Sequence, residues 1–580
     1  MQKKDGAPLT VTVQGRVEVD HEAGALSGDS LTATLVAKGK HYELERATLD
    51  GHVRIELRSD RARGLEYLEL PRAIMLSPGR IACEGPVHGR WSGRIAAFGL
   101  GERTLDFEAG ALDLFLDGRT VVRARVSDGI RARDQAGGGS FSARVLEAWK
   151  EGGRIFASGD IKARTAEGSI EADGLSVEAP GKKRYTVHIA GKKRLEYVAD
   201  GRFGPLGGAK RGKVVVTSGG PITLAADGEA MEAQALRGVT VKLGEATLRC
   251  GALRLSLRKK EVRQMIADLA VTVEAPDGTL SGKRLVHEND RTTLTGSPAS
   301  VERRDQGVVT AARIVLDKDR TFAATDGVVV VATLAKRGSW TLRAETLRGV
   351  FSEKAKRPDR LHAGGGVVLT GPDGRRLNGA RLEYDGATQV VALDGEPATV
   401  AQGDDLVVSA KSFSAQLRDD QVVRLETAGA ADAYYETRAG ELRRWHIRFR
   451  GPALLEGRRL VIDDGADLAA FDAVQSKRLV GRAGRVVVEL DAKRKPIGLK
   501  GSGGVTLESL GKRAAKVDAQ RLSYTVGSKR VVMRDRARVR AEGWPREVRF
   551  GLVVFTVTKD GVDLKRASEI EVFDRSANRK

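Results

Sequence analysis

Apolar and polar residues alternate with a period of two along most of the chain. In the segment 442–451, Trp445, Ile447 and Phe449 fall on one side of the alternation, and a histidine and arginines fall on the other. Successive side chains of a strand point to opposite faces, so this pattern predicts antiparallel strands with one buried and one wet face. Helical periodicity is weak, and its best example, residues 142–152, also fits a strand followed by a loop.

One strand-turn-strand segment recurs with variations. Leu280–Val301 and Leu377–Val400 both contain a small-residue bend, an alternating run, a polar turn, a second alternating run and then Gly-x-Pro-Ala. Fainter copies occupy Gly244–Val273, Val309–Val331 and Val517–Val539. A single hairpin cannot bury its apolar face, so repeated hairpins must complete a core for one another. We therefore expect an all-β fold of stacked antiparallel hairpins in two facing sheets, with almost no helix.

Asp-Gly pairs separate many of the alternating runs. Glycine takes up the positive φ of tight turns without steric cost, so these pairs predict hairpin turns. The predicted turns lie at Asp50-Gly51, Asp117-Gly118, Asp173-Gly174, Asp277-Gly278, Asp326-Gly327, Asp373-Gly374 and Asp385-Gly386.

The chain has 580 residues, which exceeds the size at which a single hydrophobic core stops growing. Glycine-rich stretches at 137–139 and 201–213, and the region near residue 402, are the candidate boundaries. We predict four β modules, at 1–136, 137–240, 241–402 and 403–580. With 15 prolines, no segment has the composition of a proline-rich linker, which favours one elongated pair of sheets over separated domains.

The chain is basic, with 98 Lys and Arg against 77 Asp and Glu, a formal net charge of +21. This excess favours anionic partners such as nucleic acid, acidic lipid headgroups or phosphorylated glycolipid. The charges are spread along the chain, so an ordinary soluble surface explains them equally well.

Residues with catalytic or ligating chemistry are scattered. Cys83 and Cys250 lie far apart, and none of the eight histidines has metal-ligand spacing on a helix. His287 and His446 occupy positions that we assign to the solvated face of strands. The stretch Gly207–Val214 resembles a phosphate-binding loop but has Val214 in place of the Ser or Thr that holds magnesium, and a strand pattern follows it. We expect no enzymatic activity, no cofactor and no metal.

Nucleic-acid binding by a β surface requires aromatic side chains interleaved with basic ones on the same face. Trp445 and Phe449 come closest, but the alternation places them opposite Arg448 and Arg450. These aromatic side chains therefore fit a core, and no nucleic-acid partner is expected.

The repeated segment resembles the OstA-like family of lipopolysaccharide-transport proteins, which includes LptA, LptC and the N-terminal domain of LptD. The resemblance rests on runs of the form Ala-x-x-Leu-x-Tyr-Asp, a turn and then apolar-x-Gly-x-Pro. The fullest example is Ala380–Asp385 followed by Leu393–Pro397, and the others are Leu285–Glu288 with Leu294–Pro298, and Ala519–Tyr524. The copies cover about Gly244 to Arg540, and the first 240 residues match only loosely, as an LptC-like or divergent module.

The resemblance implies an open, elongated β-jellyroll, a folded trough whose apolar inside shields acyl chains. It further implies a periplasmic bridge that carries lipopolysaccharide or a similar anionic glycolipid toward the outer membrane and joins other β-jellyroll proteins through edge strands. The first residues, MQKKDGAPLTVTV, contain no apolar stretch long enough for a signal peptide or a membrane span. A periplasmic protein would then need an export segment or anchor outside this sequence, and the alternative is a cytoplasmic protein.

The residues predicted to line the lipid groove are chosen from the alternation pattern alone. The equal alternative is that the same side chains fill a closed core, as in a structural or adhesive β-solenoid that carries no lipid. The candidates are Leu253, Leu255, Leu257, Leu382, Tyr384, Trp445, Ile447, Phe449, Leu522, Tyr524, Val553, Phe555 and Val557.

Overall fold

The structure is a computed structural model of the chain. It describes residues 8–21, 24–57, 64–76, 79–94, 102–117, 120–136, 138–166, 168–181, 184–199, 212–259, 261–304, 307–334, 338–351, 358–403, 405–418, 421–436, 442–472, 476–492, 495–510, 514–542, 544, 548–558 and 561–572. The chain forms two compact units, residues 1–296 and 297–580.

The first unit is built from strands β1 to β19 and the beginning of β20. Their bounds are β1 (Leu9–His21), β2 (Gly24–Lys38), β3 (His41–Leu57), β4 (Gly64–Leu76), β5 (Arg80–Glu84), β6 (Val87–Arg94), β7 (Glu102–Asp117), β8 (Thr120–Asp134), β9 (Ser140–Ala143), β10 (Val145–Trp149), β11 (Arg154–Thr165), β12 (Gly168–Glu178), β13 (Arg184–Ala199), β14 (Gly212–Ser218), β15 (Ile222–Asp227), β16 (Ala230–Leu243), β17 (Ala246–Arg258), β18 (Glu261–Ala275), β19 (Gly278–Glu288) and β20 (Arg291–Arg303).

The second unit continues with β21 to β39. Their bounds are β21 (Gly307–Leu316), β22 (Thr321–Leu334), β23 (Gly338–Phe351), β24 (Pro358–Thr370), β25 (Arg375–Asp385), β26 (Val390–Gln402), β27 (Leu406–Arg418), β28 (Gln421–Glu436), β29 (Leu442–Phe449), β30 (Ala453–Glu456), β31 (Arg459–Ile462), β32 (Ala466–Asp472), β33 (Lys477–Ala483), β34 (Arg485–Leu490), β35 (Pro496–Ser509), β36 (Ala515–Thr525), β37 (Arg530–Ala541), β38 (Val548–Thr558) and β39 (Gly561–Val572).

The prediction of an all-β fold with almost no helix is confirmed. Among the described residues, helical structure is limited to single 3-10 turns such as Glu151–Gly153 and Pro372–Gly374. The segment 142–152, the best helical candidate, forms strands β9 and β10 before the first of these turns. The repeated hairpin is also observed, because β25 and β26 pair antiparallel from Leu377 with Val400 to Asp385 with Val390.

Most long strands bend near their centre. In β35 the ladder is interrupted between Ser502 and Val505, where Gly503 and Gly504 have φ values of 75° and 80°. Two successive left-handed residues are found at the same place in other strands, for example Leu269 and Ala270 in β18. We call the row of these interruptions the bend line. Bulges of this kind redirect a strand. The two halves of β35 therefore belong to two separate parts of the sheet, which we call leaves.

In the neighbouring strands, the buried residues switch between odd-numbered and even-numbered positions at the bend line. In β36 the buried residues are Val517 and Ala519 before the interruption and Leu522 after it. In β17 the even-numbered Leu248 is buried before the interruption and the odd-numbered Leu255 after it. One strand type therefore bends with left-handed residues and the other by changing phase, and both halves keep their apolar side chains buried.

Three of the predicted Asp-Gly hairpin turns are wrong. Asp50-Gly51, Asp173-Gly174 and Asp326-Gly327 lie inside β3, β12 and β22, where the ladders are interrupted. Gly51 and Gly327 do have positive φ, 73° in both, but this conformation produces a bulge within a strand rather than a turn between two. Asp277-Gly278, Asp373-Gly374 and Asp385-Gly386 lie at strand ends, as predicted, and Gly118 lies outside the described residues.

Among the described residues, six strand positions are each occupied by two shorter strands that meet at the bend line. The pairs β5 and β6, β9 and β10, and β14 and β15 each occupy one strand position in the first unit. In the second unit three adjacent positions are cut, giving β29 with β30, β31 with β32, and β33 with β34. Gly-Pro stands at three of the cuts, 85–86, 220–221 and 451–452, where proline supplies no ladder donor.

Close backbone approach at the bend line requires glycine at position 484. A Cβ atom there would lie within 2.4 Å of the Gly503 carbonyl oxygen. Such a contact is shorter than any that real Cβ atoms make with backbone, so the two chain segments would have to move apart. The bend of β35 and the cut between β33 and β34 therefore depend on each other.

Gly484→Ala should destabilise the second unit. Forcing an extra methyl group into a packed site costs about 1–3 kcal/mol, and the relevant measurement is the free energy of unfolding from urea titration. Gly527→Ala is the matched control, because no atom lies within 4 Å of the Cβ position in that turn. Equal stability of the two variants would contradict the tight backbone contact.

Candidate apolar cleft

An apolar cleft lies in the second unit between residues 445 and 531 of the chain. It has about 610 Å³ of empty space, counting the part open to solvent. Every lining residue is apolar, aromatic or glycine except Arg482 and Thr506. The space that a ligand atom could enter is about 60 Å³, below the roughly 300–1,000 Å³ of typical small-molecule sites, so the cleft has the apolar lining of a ligand site but a smaller volume.

The cleft lies between the two leaves. Leaf A contains β30, β31, β34 and the adjoining halves of β35 and β36, and leaf B contains β29, β32, β33 and the other halves. Leu499 and Leu507 belong to the same strand, β35, yet both line the cleft. Eight residues of straight strand would span about 27 Å. The bend at Gly503-Gly504 therefore brings the two halves of β35 face to face.

Small residues leave the space that the cleft occupies. Four small residues line the cleft within three residues of the bend line: Ala466, Gly481, Ala483 and Gly501. A Cβ atom on Gly501 would meet Ala483, Val505 and Leu522 at 3.3–3.7 Å, so a larger side chain there would point into the space between the leaves.

Two aromatic side chains meet across the leaves at the far side from the bend line. Trp445 on leaf B and Tyr524 on leaf A have ring centroids 6.0 Å apart at an interplanar angle of 34°. Both residues are half-buried; Trp445 lies in the middle of β29, and Tyr524 is the last residue but one of β36. Burial raises the pKa of Tyr524, so its hydroxyl stays protonated at neutral pH. This tilted contact is a favourable aromatic geometry and joins the two leaves through side chains that line the cleft.

Charged side chains form ion pairs on the solvent face of leaf B. Asp467 accepts hydrogen bonds from Arg450 at 2.6 Å and from Arg482 at 2.9 Å, and the bond from Arg450 is the main reason that the pKa of Asp467 is lowered. Burial alone would raise the pKa of Asp432, but bonds to His446 and Arg448, at 2.7 and 3.2 Å, keep it low. Arg482 therefore directs its guanidinium to the outside of the leaf rather than into the cleft.

The structure brings together four of the predicted groove residues. Trp445, Ile447, Leu522 and Tyr524 all line the cleft. Phe449 lies on the same face of β29 but is buried, and it pairs with Ala431 and Ala466. The cleft also uses small residues and leucines of β32 to β35 that were not predicted. Their signal in the sequence is a run of Ala and Gly at inward positions, which alternation of large residues does not detect.

The other predicted groove residues do not line this cleft. They are Leu253, Leu255 and Leu257 on β17, Leu382 and Tyr384 on β25, and Val553 and Phe555 on β38. All of these except the half-buried Tyr384 are buried. The side chain of Val557 lies outside the described part. Contact of any of these residues with lipid stays a prediction.

The assignment of His287 to a solvated face is wrong. It is only 6% exposed, on the same face of β19 as the buried Leu285, and its Nδ1 lies 3.0 Å from Thr292 Oγ1. Burial lowers the pKa of His287, partly offset by Asp290. The run Leu-Val-His-Glu places Leu285 and His287 two residues apart, so alternation itself indicated the inward face. His446 does lie on the outer face, stacked on Tyr434 with ring centroids 4.3 Å apart.

The remaining chemically active residue types form no site in the described part of the chain. Both cysteines are buried free thiols, and burial raises the pKa of Cys83 to about 12 and that of Cys250 to about 11. No group of three or more His, Cys, Asp or Glu is arranged for a metal among the described residues. Most of the loop-like stretch Gly207–Val214 lies outside them, and β14 follows as a strand from Gly212.

No helix in the described ranges is long and apolar enough to cross a membrane. No protein-family model matches the chain, and no curated protein is significantly similar to it.

Stability should fall with acid because of His287. Its pKa is lower in the folded than in the unfolded state, so below about pH 6.5 the unfolded chain binds the extra proton first. The free energy of unfolding should decrease below that pH, by at most about 1.4 kcal/mol per pH unit for one proton, until the folded-state pKa is passed.

His287→Gln should flatten this part of the pH profile, measured by urea unfolding at pH 4.5 to 8. His41→Gln is the control, because His41 is exposed. An unchanged profile in His287→Gln would contradict a buried neutral imidazole.

Proposed function

We propose that the protein is a lipid carrier that shields hydrocarbon chains between the two leaves of its bent sheet. The observation that carries this proposal is the apolar cleft whose two walls are built from the two halves of the same strands. Burial of hydrocarbon in such a space is favourable by about 25 cal/mol of free energy per Å² removed from water. A polar ligand would find few side-chain partners there, namely Thr506, the Tyr524 hydroxyl and the Trp445 indole N–H, because Arg482 is directed outward.

Basic residues at the cleft mouth support an anionic headgroup. Arg443 and Lys477 on leaf B and Arg530 on leaf A are exposed at strand ends, each within two residues of a side chain that lines the cleft. Phosphate or carboxylate oxygens form charge-assisted hydrogen bonds with such groups. A chain in the cleft and a negative group at its mouth define an anionic amphiphile. Lipopolysaccharide or a similar glycolipid is the cargo that we propose, carried through the periplasm toward the outer membrane.

The free edge of β1 supports assembly with other β proteins. Among the described residues, β1 pairs with β2 and with no further strand. Leu9, Val11 and Val13 lie opposite Leu35, Ala33 and Leu31 and remain 41–46% exposed. An unpaired edge with an apolar row is a template for strand addition, so we propose that another β-jellyroll protein of a transport bridge pairs here.

A structural β-solenoid with a filled core is the second candidate. The observation that favours it is the tight interior of the first unit, where Leu248, Met265 and Leu285 are at most 1% exposed. Leu253, Leu255 and Leu257 are also buried there. Side chains packed in this way leave no space for a ligand at those positions.

Photo-crosslinking distinguishes the two candidates. A photoreactive residue at Ile447, which lines the cleft, should capture lipid in cells, and a second one at Phe555 tests the neighbouring core. Tyr434 is the control, since it is 50% exposed on the outer face of β28. Mass analysis of the adducts should find lipid at position 447 and not at 434. Absence of lipid from the adducts at both 447 and 555 would contradict the transport proposal and favour a filled core.

A further inference from the structure

We infer that the ends of β35, β36 and β37 form a docking edge for the surface of an anionic lipid bilayer. We call these strand ends the rim, which consists of residues 495–497 and 525–530 on leaf A and of residues 508–510, 514–516, 540–542 and 544 on leaf B. The inference goes beyond the proposed function, because the rim is a surface separate from the cleft and can dock whether or not the cleft holds a lipid.

The exposed apolar side chains of the second unit lie at strand ends. Among the described residues of that unit, six large apolar or aromatic side chains are between 37% and 50% exposed, and each lies within three residues of the end of a strand. Four of the six belong to the rim, which spans about 10 Å of sheet width from β35 to β37. The six residues are Val331, Tyr434, Ile497, Leu510, Val526 and Trp544.

The bend places both ends of these strands on the side away from the bend line. Leu499 and Leu507 of β35 both line the cleft, so the two halves of this strand face each other and its two ends lie on the same side. The contact between Trp445 on leaf B and Tyr524 on leaf A, with ring centroids 6.0 Å apart, joins the leaves next to the end of β36. One flat surface can therefore meet the strand ends of both leaves at once.

Backbone hydrogen bonds hold the apolar side chains of the rim in place. Val526 donates its N–H to the carbonyl oxygen of Ile497 at 3.1 Å. Leu510 donates to the carbonyl oxygen of Arg478 at 2.9 Å, and Trp544 donates to the last carbonyl of β37 at 3.1 Å. Because these donors already have partners, entry of the side chains into a bilayer interface leaves none of the three N–H groups unpaired.

Basic side chains lie beside the apolar ones. Lys495, Lys529 and Arg530 are exposed on the leaf A part of the rim, and Lys516 and Arg540 are exposed directly opposite each other on the leaf B part. Cations beside an anionic bilayer are attracted to its surface, and the net charge of +21 of the whole chain adds to this attraction.

The acidic residues of this region are less accessible than the basic ones. Glu508, opposite Lys516 in the ladder, is half-buried. Asp491, in the turn before β35, is also half-buried and accepts the backbone N–H of Lys495 at 2.8 Å. Glu542 is exposed. The accessible charge of the rim is therefore mainly positive, which complements an anionic surface.

The composition of the rim favours a bilayer over a protein or a nucleic acid. The centre of a protein interface is depleted of charged residues, and Lys is depleted in particular, whereas here Lys and Arg stand between the apolar side chains. A second copy of the chain would bring like charges together. A single-stranded nucleic acid needs several aromatic side chains for stacking, and Trp544 is the one exposed aromatic residue among the described rim residues. Tryptophan beside basic residues is typical of surfaces that enter the bilayer interface.

Flotation of the full chain with lipid vesicles measures the docking. The chain should float with vesicles of two parts phosphatidylcholine to one part phosphatidylglycerol. Vesicles of phosphatidylcholine alone should bind it at least about tenfold more weakly, because they lack the anionic surface that attracts the basic residues. Raising the salt shortens the Debye length from about 10 Å at 0.1 M to about 3 Å at 1 M, so it should also weaken binding to the mixed vesicles.

Two variants of the rim should bind the mixed vesicles less well. Trp544→Ser removes the exposed aromatic side chain, and Lys516→Gln combined with Lys529→Gln removes two charges. Each variant should bind about tenfold more weakly than the wild type, because both the interfacial aromatic residue and the charges contribute to docking.

Matched control variants carry the same changes in the first unit. Phe156→Ser removes a 44% exposed aromatic side chain from the outer face of β11, and Lys162→Gln with Lys242→Gln removes two exposed charges. These controls should bind as the wild type does. Urea transitions with unchanged midpoints verify that all of the variants are folded.

A dye attached at the rim reports its contact with the bilayer. Cys83 and Cys250 are buried, so an environment-sensitive thiol dye should react with the introduced thiol of Val526→Cys. On addition of the mixed vesicles, the emission of this dye should shift to the blue and be quenched by nitroxide-labelled lipid. The same dye on Phe156→Cys should show neither effect.

Three results would overturn the docking edge. The first is absence of binding to the mixed vesicles, and the second is binding that the rim variants leave unchanged, which would place the contact on another face. The third is an oligomer in sedimentation that the rim variants dissociate, which would make the rim a protein interface. The lipid-carrier function is decided separately by crosslinking at Ile447, so failure of either proposal is distinguishable from failure of the other.

Discussion

Most long strands in the described part of this protein bury apolar side chains on both sides of a bend, and the rest of the architecture depends on that constraint. A straight alternating strand has one buried face along its whole length. Here the strands bend at their centres, through successive left-handed residues such as Gly503-Gly504 or through a change of phase as in β36. In the second unit neighbouring bends are aligned, so that part of the sheet folds over its own apolar face, and both halves of β35 line the same cleft.

The candidate site follows from the same constraint. Where large residues point inward from both leaves, as around Leu248 and Leu285, the interior is filled. Where Ala466, Gly481, Ala483 and Gly501 point inward, the leaves leave an apolar cleft. The outer face of leaf B is meanwhile braced by ion pairs on Asp432 and Asp467, which hold the wall in register from the solvent side. The difference between the packed interior and the cleft thus follows from side-chain volume at inward positions, together with the three cut strands beside the cleft.

Alternation was sufficient to predict the all-β fold, the hairpins and four of the side chains that line the cleft, because strand periodicity depends only on local geometry. It did not show that the strands bend. Asp-Gly has the same conformational preference in a hairpin turn and in a bulge, so Asp326-Gly327 was assigned to a turn although it lies within β22. The small residues of the cleft were missed for a different reason: glycine and alanine carry little hydrophobic signal, and the contact between Trp445 and Tyr524 joins strands that are far apart in the sequence.

The central claim is that the interior between the leaves holds a hydrocarbon chain away from water. Electron paramagnetic resonance of a monoacyl phospholipid with a nitroxide near its terminal methyl group tests this claim directly. On addition of the protein, the nitroxide should become immobilised and protected from a water-soluble paramagnetic relaxing agent. A nitroxide that stays mobile and fully accessible to that agent in the presence of excess protein would contradict the account.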